Sequence, residues 1–310
     1  MTGYQIMYKH FEEIAEAAKH LPVKGRIAVA GAADKAVLES VLEAFDSGIT
    51  VPVLVGEKEE ISSLLAGLGR NPDEFEIVHA SKGEEGPKAV ELVREGKASV
   101  LMKGMIETSE LLRPVVNRET GLRTGSVMSH VGFFDRVPGT DHFIIQTDGG
   151  MLLYPDLKEK KAIIENAVSA LHAIGNECPK VAVLCAVETV NPKMTETVDA
   201  DALKQMNLSG EISGCIIEGP ISYDLAMSRD IAEKKHYDCP YCGDFDILVV
   251  PTIAAGNIIG KCWTVTCGAL LGGIVVGAKA PIVLTSRGSS AQEKFFSIAV
   301  AVLVAEGGKR

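Results

Sequence analysis

A hydroxyl, a guanidinium and a carboxylate lie close together near the C-terminus of this chain, on Ser286, Arg287 and Glu293. They follow the apolar run from Pro281 to Thr285, which is typical of a buried strand. An amphipathic helix is predicted from Ser290 to about Ala305, so Ser286 and Arg287 precede this helix and Glu293 lies at its start. Open α/β sheets bind their ligands at the carboxyl ends of strands. The residue types and their position therefore indicate a site for an anionic substrate.

A second group of polar residues follows another predicted strand. Lys103 and Gly104 close the apolar run from Val100 to Met102, and Thr108 stands where a helix begins. An ammonium group, a flexible glycine and the N–H groups of a helix start together suit phosphate. The alternative for Thr108 is a purely structural role as the helix N-cap. Arg123, in a turn before the next apolar stretch, is suited to bind phosphate oxygens in the same way.

A third candidate segment follows the predicted strand from Asp246 to Val250. Gly256 and Asn257 suit a close approach of the backbone to a ligand, and Lys261 stands one turn further on. The alternative is an ordinary connection from a strand to a helix.

The composition limits the class of protein. A formal net charge of -10 argues against nucleic acid as a partner, because phosphate backbones require a basic face. The 310 residues contain no apolar stretch long enough for a membrane span and no signal-peptide pattern, so we expect a cytoplasmic protein. The seven cysteines form no disulfide framework. Cys239 and Cys242 have the spacing of redox or zinc ligands, but no second pair accompanies them, and we expect an incidental loop pair and no metal.

Short β-branched runs alternate with helix-length amphipathic segments along the chain. Most of the runs are apolar on both faces, as buried parallel strands are, so the pattern predicts an α/β fold with mainly parallel sheets. The predicted strands are 26–30, 51–55, 76–79, 99–102, 143–146, 181–186, 214–217, 246–250, 274–276 and 281–285.

The turn-rich, polar region from Gly125 to Asp141 is the best candidate for a domain break. We expect a first α/β domain from residues 1–128 plus 286–310, in which the last helix returns, and a second α/β domain from residues 129–285. Ser286 would then lie at a cleft between the two domains, a favoured place for a substrate.

Several common motifs are absent from the sequence. No Gly-x-Gly-x-x-Gly follows a strand and no P-loop occurs, which disfavours dinucleotide and nucleoside triphosphate binding. No Gly-x-Ser-x-Gly or His-Glu-x-x-His occurs either, which disfavours serine hydrolases and zinc proteases.

The chain resembles the family of phosphate acetyltransferases and phosphate butyryltransferases, with the butyryltransferases the closer likeness. The resembling strings extend in order over nearly the whole chain, and such a collinear set is far more specific than any single string. They are 101–104 with Thr108, 121–130, 154–157, 185–188 with 191–194, 218–220 with Asp224, Pro251 with 255–257 and Lys261, and 284–287.

The resemblance implies reversible transfer of a short acyl group, butyryl first, from acyl-CoA to inorganic phosphate. It implies two α/β domains with a cleft between them, in a fold related to the isocitrate and isopropylmalate dehydrogenases. It also implies a homodimer or larger assembly, coenzyme A as a co-substrate and no permanently bound cofactor. Lys103, Gly104, Thr108 and Arg123 would bind phosphate or acyl phosphate, and Gly256, Asn257 and Lys261 would bind coenzyme A.

Residue by residue, the resemblance makes Glu293 the base for the CoA thiol, whose thiolate is the nucleophile. Ser286 would orient the thiol or stabilise the tetrahedral oxyanion, and Arg287 would bind phosphate. The family's acetyltransferases usually have Asp at the position of Glu293, and its butyryltransferases have their Glu at the position of Gln292. The alternative is that Glu293 is the N3 residue of a capping box begun by Ser290.

Three alternatives in function stay open at this point. The first is phosphate acetyltransferase activity with acetyl-CoA. The second is a non-catalytic protein of the same fold that binds acyl-CoA or acyl phosphate. The third is a metal-dependent dehydrogenase of the related fold, although no cluster of aspartates stands out to hold its ion.

Overall fold

A computed structural model of the chain describes residues 8–286 and 288–307. The strands are β1 Gly25–Ala30, β2 Thr50–Gly56, β3 Glu76–His79, β4 Val100–Lys103, β5 Ser129–Asp135, β6 Ile144–Thr147, β7 Lys180–Leu184, β8 Ile216–Ile221, β9 Ile247–Val249, β10 Leu270–Val276 and β11 Ile282–Val283. The helices are α1 Phe11–Lys19, α2 Lys35–Asp46, α3 Lys58–Gly67, α4 Glu85–Arg94, α5 Thr108–Val115, α6 Leu157–Ala173, α7 Thr195–Leu208, α8 Tyr223–Met227, α9 Arg229–Lys234, α10 Ile253–Lys261 and α11 Ala291–Gly307. A 3₁₀ turn covers Pro72–Glu74, and a π-helical turn covers Cys262–Thr266 directly after α10.

The described residues divide into two units. Of the described residues, the flanking unit contains 12–126, 272–286 and 288–307, and the middle unit contains 8–11 and 127–271. In the flanking unit the strand order is β3-β2-β1-β4-β11-β10, parallel except for β10. In the middle unit it is β5-β6-β9-β7-β8, parallel except for β5. The prediction of an α/β fold with mainly parallel strands is confirmed.

The helices form where the apolar spacing predicts them. In α2, Val37, Leu38 and Val41 are buried on one face, as a 3.6-residue period requires. Asp34 caps the helix, since its carboxylate accepts a hydrogen bond from the N–H of Val37 at 2.9 Å. The apolar C-terminal segment likewise forms α11, which begins at Ala291, one residue after the start expected from the sequence.

The region from Gly125 to Asp141 contains a strand that the sequence analysis missed. Its residues Ser129–Asp135 form β5, which pairs antiparallel with β6, and Phe133 and Phe134 are buried. The flanking glycine, proline and aspartate residues suggested a turn-rich connection. The paired aromatic residues were the signal for a strand, and pairing with β6 gives their backbone its hydrogen bonds.

The expected division at 128/129 and 285/286 stays a prediction. Residues 272–285 lie in the flanking unit, although the sequence analysis assigned them to the second domain. The reason is strand pairing: β11 lies parallel to β4, with Val283 opposite Met102, and β10 pairs with β11 through Val275 and Ile282.

Candidate active site

A chain of three side chains follows β11 in the flanking unit. The hydroxyl of Ser289 donates to the Glu293 carboxylate, with Oγ to Oε1 at 2.6 Å. The Ser289 oxygen also receives the N–H of Ser286 at 3.1 Å and lies 3.2 Å from the Ser286 hydroxyl oxygen. Because the single proton of Ser289 is directed at Glu293, the Ser286 hydroxyl is the donor in the remaining contact. The hydrogen bonds therefore run in one direction, from Ser286 through Ser289 to Glu293.

Both the backbone and the side chain of Glu293 form hydrogen bonds. Its backbone N–H donates to the hydroxyl of Ser290 at 3.0 Å, which makes Ser290 the cap of α11 and Glu293 its N3 residue. Its carboxylate accepts from Ser289. The backbone of Glu293 thus completes the predicted cap, while the side chain joins the chain of hydroxyls that begins at Ser286. Its assignment as a base stays a prediction.

Ser289 was missed by the sequence analysis. It is buried, at 9% exposure, and it lies four residues before Glu293, a spacing that brings two side chains together at the start of a helix. That spacing was the available signal. Arg287 lies outside the described residues, so its predicted role in binding phosphate stays a prediction.

Lys103 and Gly104 lie at the end of β4, the strand between β1 and β11. Lys103 is buried, and its Nζ donates to the carbonyls of Gly104 and Ile106, both at 3.2 Å. The N–H of Gly104 donates to the carbonyl of Ala30 at 2.8 Å, and a Cβ on Gly104 would lie 2.2 Å from the carbonyl oxygen of Gly31. Glycine is therefore required here for the close approach of two backbones. Because β4 and β11 are parallel neighbours, the Lys103 and Ser286 segments leave the same edge of the sheet.

Thr108 is not the N-cap of α5, which corrects one alternative from the sequence. Glu107 precedes the helix, and its N–H donates to the carboxylate of Glu110 at 2.8 Å in a capping box. Thr108 is instead the first helical residue and is exposed. Arg123 is also exposed and forms an isolated antiparallel bridge with Ala278. Binding of phosphate by either residue stays a prediction.

The candidate residues for coenzyme A lie on α10 in the middle unit. Thr252 caps this helix by accepting the N–H of Ala255 at 3.3 Å. Gly256 is buried, whereas Asn257 and Lys261 are exposed, and their side chains form no hydrogen bond or ion pair with residues 8–286 and 288–307. Their binding to coenzyme A stays a prediction.

Cys239 and Cys242 lie in the loop before β9. Burial, followed by the neighbouring Cys239, raises the pKa of the Cys242 thiol to about 12. A thiol of that pKa is almost entirely protonated at neutral pH and is a poor nucleophile. This favours the structural interpretation of the pair.

Comparison with known proteins identifies the family. A phosphate butyryltransferase from Clostridium acetobutylicum is 45% identical over 300 residues, covering 96% of this chain and 99% of the relative. A phosphate acetyltransferase from Thermotoga maritima is 39% identical over 295 residues, covering 95% and 99%. The crystal structure of a branched-chain phosphotransacylase from Enterococcus faecalis has a TM-score of 0.79 and 32% identity, covering 90% and 98%.

The resemblance stated from individual strings is thus confirmed along nearly the full chain. The family model described as phosphate acetyl/butaryl transferase matches residues 82–302, a range that includes β4, α10 and the segment from Ser286 to Glu293. The chain belongs to the phosphate acetyl/butyryl transferase family.

Proposed function

We propose that this protein transfers a short acyl group, with butyryl the first candidate, between coenzyme A and inorganic phosphate. A phosphate oxygen attacks the thioester carbonyl, the C–S bond breaks, and acyl phosphate and CoA leave. In the reverse direction the CoA sulfur attacks acyl phosphate and the C–O bond to phosphate breaks. Coenzyme A is a co-substrate in this scheme, and the protein retains no cofactor.

The observation that carries the proposal is the directed chain of hydrogen bonds from Ser286 through Ser289 to Glu293. Because the Ser286 hydroxyl donates toward Ser289, its lone pairs can accept the thiol proton of CoA. As that proton moves to Ser286, the proton of Ser286 moves to Ser289 and that of Ser289 to the Glu293 carboxylate. Sulfur becomes nucleophilic as the proton leaves, and Glu293 then gives the proton to the departing phosphate, which leaves as hydrogen phosphate. When the reaction runs toward acyl phosphate, the attacking hydrogen phosphate loses its proton to Glu293, and the proton passes back along the same path to the CoA sulfur.

The positive charge required for phosphate is local. The net charge of the chain is -10, so the protein as a whole does not attract phosphate electrostatically. Lys103 at the end of β4 and Arg287 beside Ser286 supply the cations in this scheme, and a guanidinium is suited to contact two phosphate oxygens at once.

The first experiment is a phosphate-dependent CoA-release assay with acetyl-, propionyl-, butyryl- and isobutyryl-CoA. We expect turnover only with phosphate present, fastest with butyryl-CoA and largely lost in Arg287→Ala. Preference for acetyl-CoA would assign the acetyltransferase activity instead. Folded protein that binds CoA but turns over no acyl-CoA would contradict the enzyme and favour the binding protein.

The acid–base role is tested by Glu293→Gln, with the exposed Glu59→Gln on α3 as its matched control. Loss of a positioned base costs about 10²- to 10⁴-fold in rate, so kcat should fall by that order in Glu293→Gln alone. A kcat close to that of the wild type would leave Glu293 with a structural role only, since glutamine keeps the backbone N–H that donates to Ser290.

We also propose that the protein is cytoplasmic and forms a homo-oligomer. Among the helices that the structure describes, none combines the length and apolar character needed to cross a membrane. Light scattering after size exclusion measures the assembly directly, and a monomer at micromolar concentration would contradict it.

A further inference from the structure

A rigid polar loop follows β6 in the middle unit. Asp148 is 2% exposed, and its carboxylate accepts the N–H groups of Gly150 and Met151, both at 2.8 Å, and that of His130 at 3.1 Å. Three N–H donors hold this carboxylate in place, and through it the loop is tied to the start of β5.

Next to this loop lies a buried amide without a partner. Gln146 is 2% exposed, and within residues 8–286 and 288–307 its side chain makes no hydrogen bond, with Nε2 fully buried. A buried amide left unpaired is destabilising, because it has lost its hydrogen bonds to water and gained none in the protein. Nothing in the fold requires that cost, since an apolar side chain of similar size would fill the same position.

Two glycines pack closely against the amide. A Cβ on Gly256 would lie 2.6 Å from Gln146 Nε2, and a Cβ on Gly149 would lie 2.8 Å from its Oε1. Gly256 belongs to α10, the helix that also carries Asn257 and Lys261. The amide of Gln146 thus lies directly beneath the helix that we propose for binding coenzyme A.

A second buried polar atom without a partner lies against the same loop. Nδ1 of His130 is buried and has no hydrogen-bond partner among the described residues, and the ring lies against Gly150, whose Cβ would come within 3.1 Å of it. Burial lowers the pKa of His130, although the Asp148 carboxylate opposes this effect. The imidazole is therefore neutral near pH 7.

These surroundings select the chemistry of a ligand. The His130 imidazole is neutral, and the Asp148 carboxylate accepts hydrogen bonds from three N–H groups. Neither residue therefore supplies a cation that would bind phosphate. An amide such as that of Gln146 both donates and accepts, and its best complement is a neutral carbonyl or amide. Acyl-CoA carries such groups at its thioester carbonyl and along its pantetheine arm.

We infer that Gln146 is a substrate-binding residue whose amide, packed against Gly149 and Gly256, hydrogen-bonds a neutral carbonyl or amide group at the thioester end of acyl-CoA. This inference rests on the proposed function, because it takes acyl-CoA as the ligand. The unpaired amide is then satisfied only when the substrate is present.

The test is Gln146→Leu, compared with Gln205→Leu, the same substitution at an exposed position of α7. Losing one neutral hydrogen bond should raise the KM for acyl-CoA about 3- to 10-fold, while the KM for phosphate stays unchanged. Removing an unpaired buried amide should at the same time raise the melting temperature by about 2–4 °C. A purely structural glutamine would lower the melting temperature and leave the KM unchanged, which would overturn the inference.

Calorimetric titration with CoA separates the two possible partners without turnover. Weaker binding of free CoA to Gln146→Leu assigns a pantetheine amide. Unchanged binding of free CoA with a raised KM for acyl-CoA assigns the thioester carbonyl. If both quantities equal those of the wild type, the inference is wrong.

A second variant covers the case in which Gln146→Leu does not fold, and the wild type shows whether the proposed function itself holds. Gln146→Met, unbranched and of similar volume, replaces the leucine variant if that one does not fold. If wild-type protein turns over no acyl-CoA, the proposed function fails, whereas weaker CoA binding by the variants would still support the Gln146 contact.

Discussion

At the scale of single residues, Ser289 decides how the candidate site is organised. Its hydroxyl lies between the Ser286 hydroxyl and the Glu293 carboxylate and is hydrogen-bonded to both. Because its single proton is donated to Glu293, the Ser286 hydroxyl is the donor in the other hydrogen bond. A single residue is also decisive at position 104, where glycine is required because a Cβ would overlap the carbonyls of Ala30 and Gly31.

Ser289→Ala should reduce kcat about as much as Glu293→Gln, because either change interrupts the same proton path. The double variant should be no slower than the worse single variant, since residues that act as a unit are not additive. The measurement is kcat for all three variants in the CoA-release assay, with the exposed Ser63→Ala on α3 as the control. Full activity in Ser289→Ala would show that Glu293 works without it.

Gly104→Ala should destabilise the protein by about 2–3 kcal/mol, because the added Cβ would lie 2.2 Å from the Gly31 carbonyl and the backbones must separate. Gly67→Ala on α3 is the control, since a Cβ there meets nothing within 4 Å and alanine is the better helix former. Urea unfolding compares the two. Equal midpoints would mean that the β1 and β4 loops can move apart freely.

At the scale of elements, burial and pairing determine the connections around the sites. Helices α6 and α7 are joined by an ion pair between Lys160 Nζ and Asp199 Oδ2 at 2.6 Å, with the side chains only 6% and 11% exposed. An adjacent residue, Lys161, makes a similar pair with Glu211 at 2.8 Å, but there the side chains are 26% and 54% exposed.

Lys160→Met should therefore cost about 3–5 kcal/mol, because it leaves a buried carboxylate without its partner. Lys161→Met should cost less than about 1 kcal/mol, since exposed pairs contribute little. The double variant Lys160→Met with Asp199→Leu should recover most of the loss. Denaturant unfolding measures each value, and similar costs for Lys160→Met and Lys161→Met would contradict the prediction.

At the scale of the whole molecule, the free energy of unfolding depends on the protonation of His130 in the middle unit. Its pKa in the folded state lies below the ordinary value of 6.5, chiefly because of burial, with the Asp148 carboxylate acting in the opposite direction. The unfolded chain therefore takes up this proton first as the pH falls.

The free energy of unfolding should consequently decrease as the pH falls below about 6.5, down to the pKa of His130 in the folded state, and it should be insensitive to this group above 6.5. His130→Asn should flatten the pH dependence between pH 6.5 and 5. Chemical unfolding across this range is the measurement, with the exposed His20→Asn as the control. A wild-type slope in His130→Asn would assign the acid sensitivity to other groups.

The sequence by itself determined the fold class, the family and most element positions. Helix periodicity and buried strand runs are local patterns, and polar residues at strand ends such as Lys103 and Ser286 mark the edge where parallel sheets bind ligands. The capping box at Glu107 and the hydrogen bonds through Ser289 join residues three or four apart, so their spacing was already present in the sequence. Only the tertiary structure decided that residues 129–135 pair with β6 as the strand β5. It also decided the unpaired amide of Gln146, because that depends on Gly149 and Gly256 packing over it from distant parts of the sequence. Patterns within a few residues record local preferences, whereas contacts between remote segments arise only when the whole chain has folded.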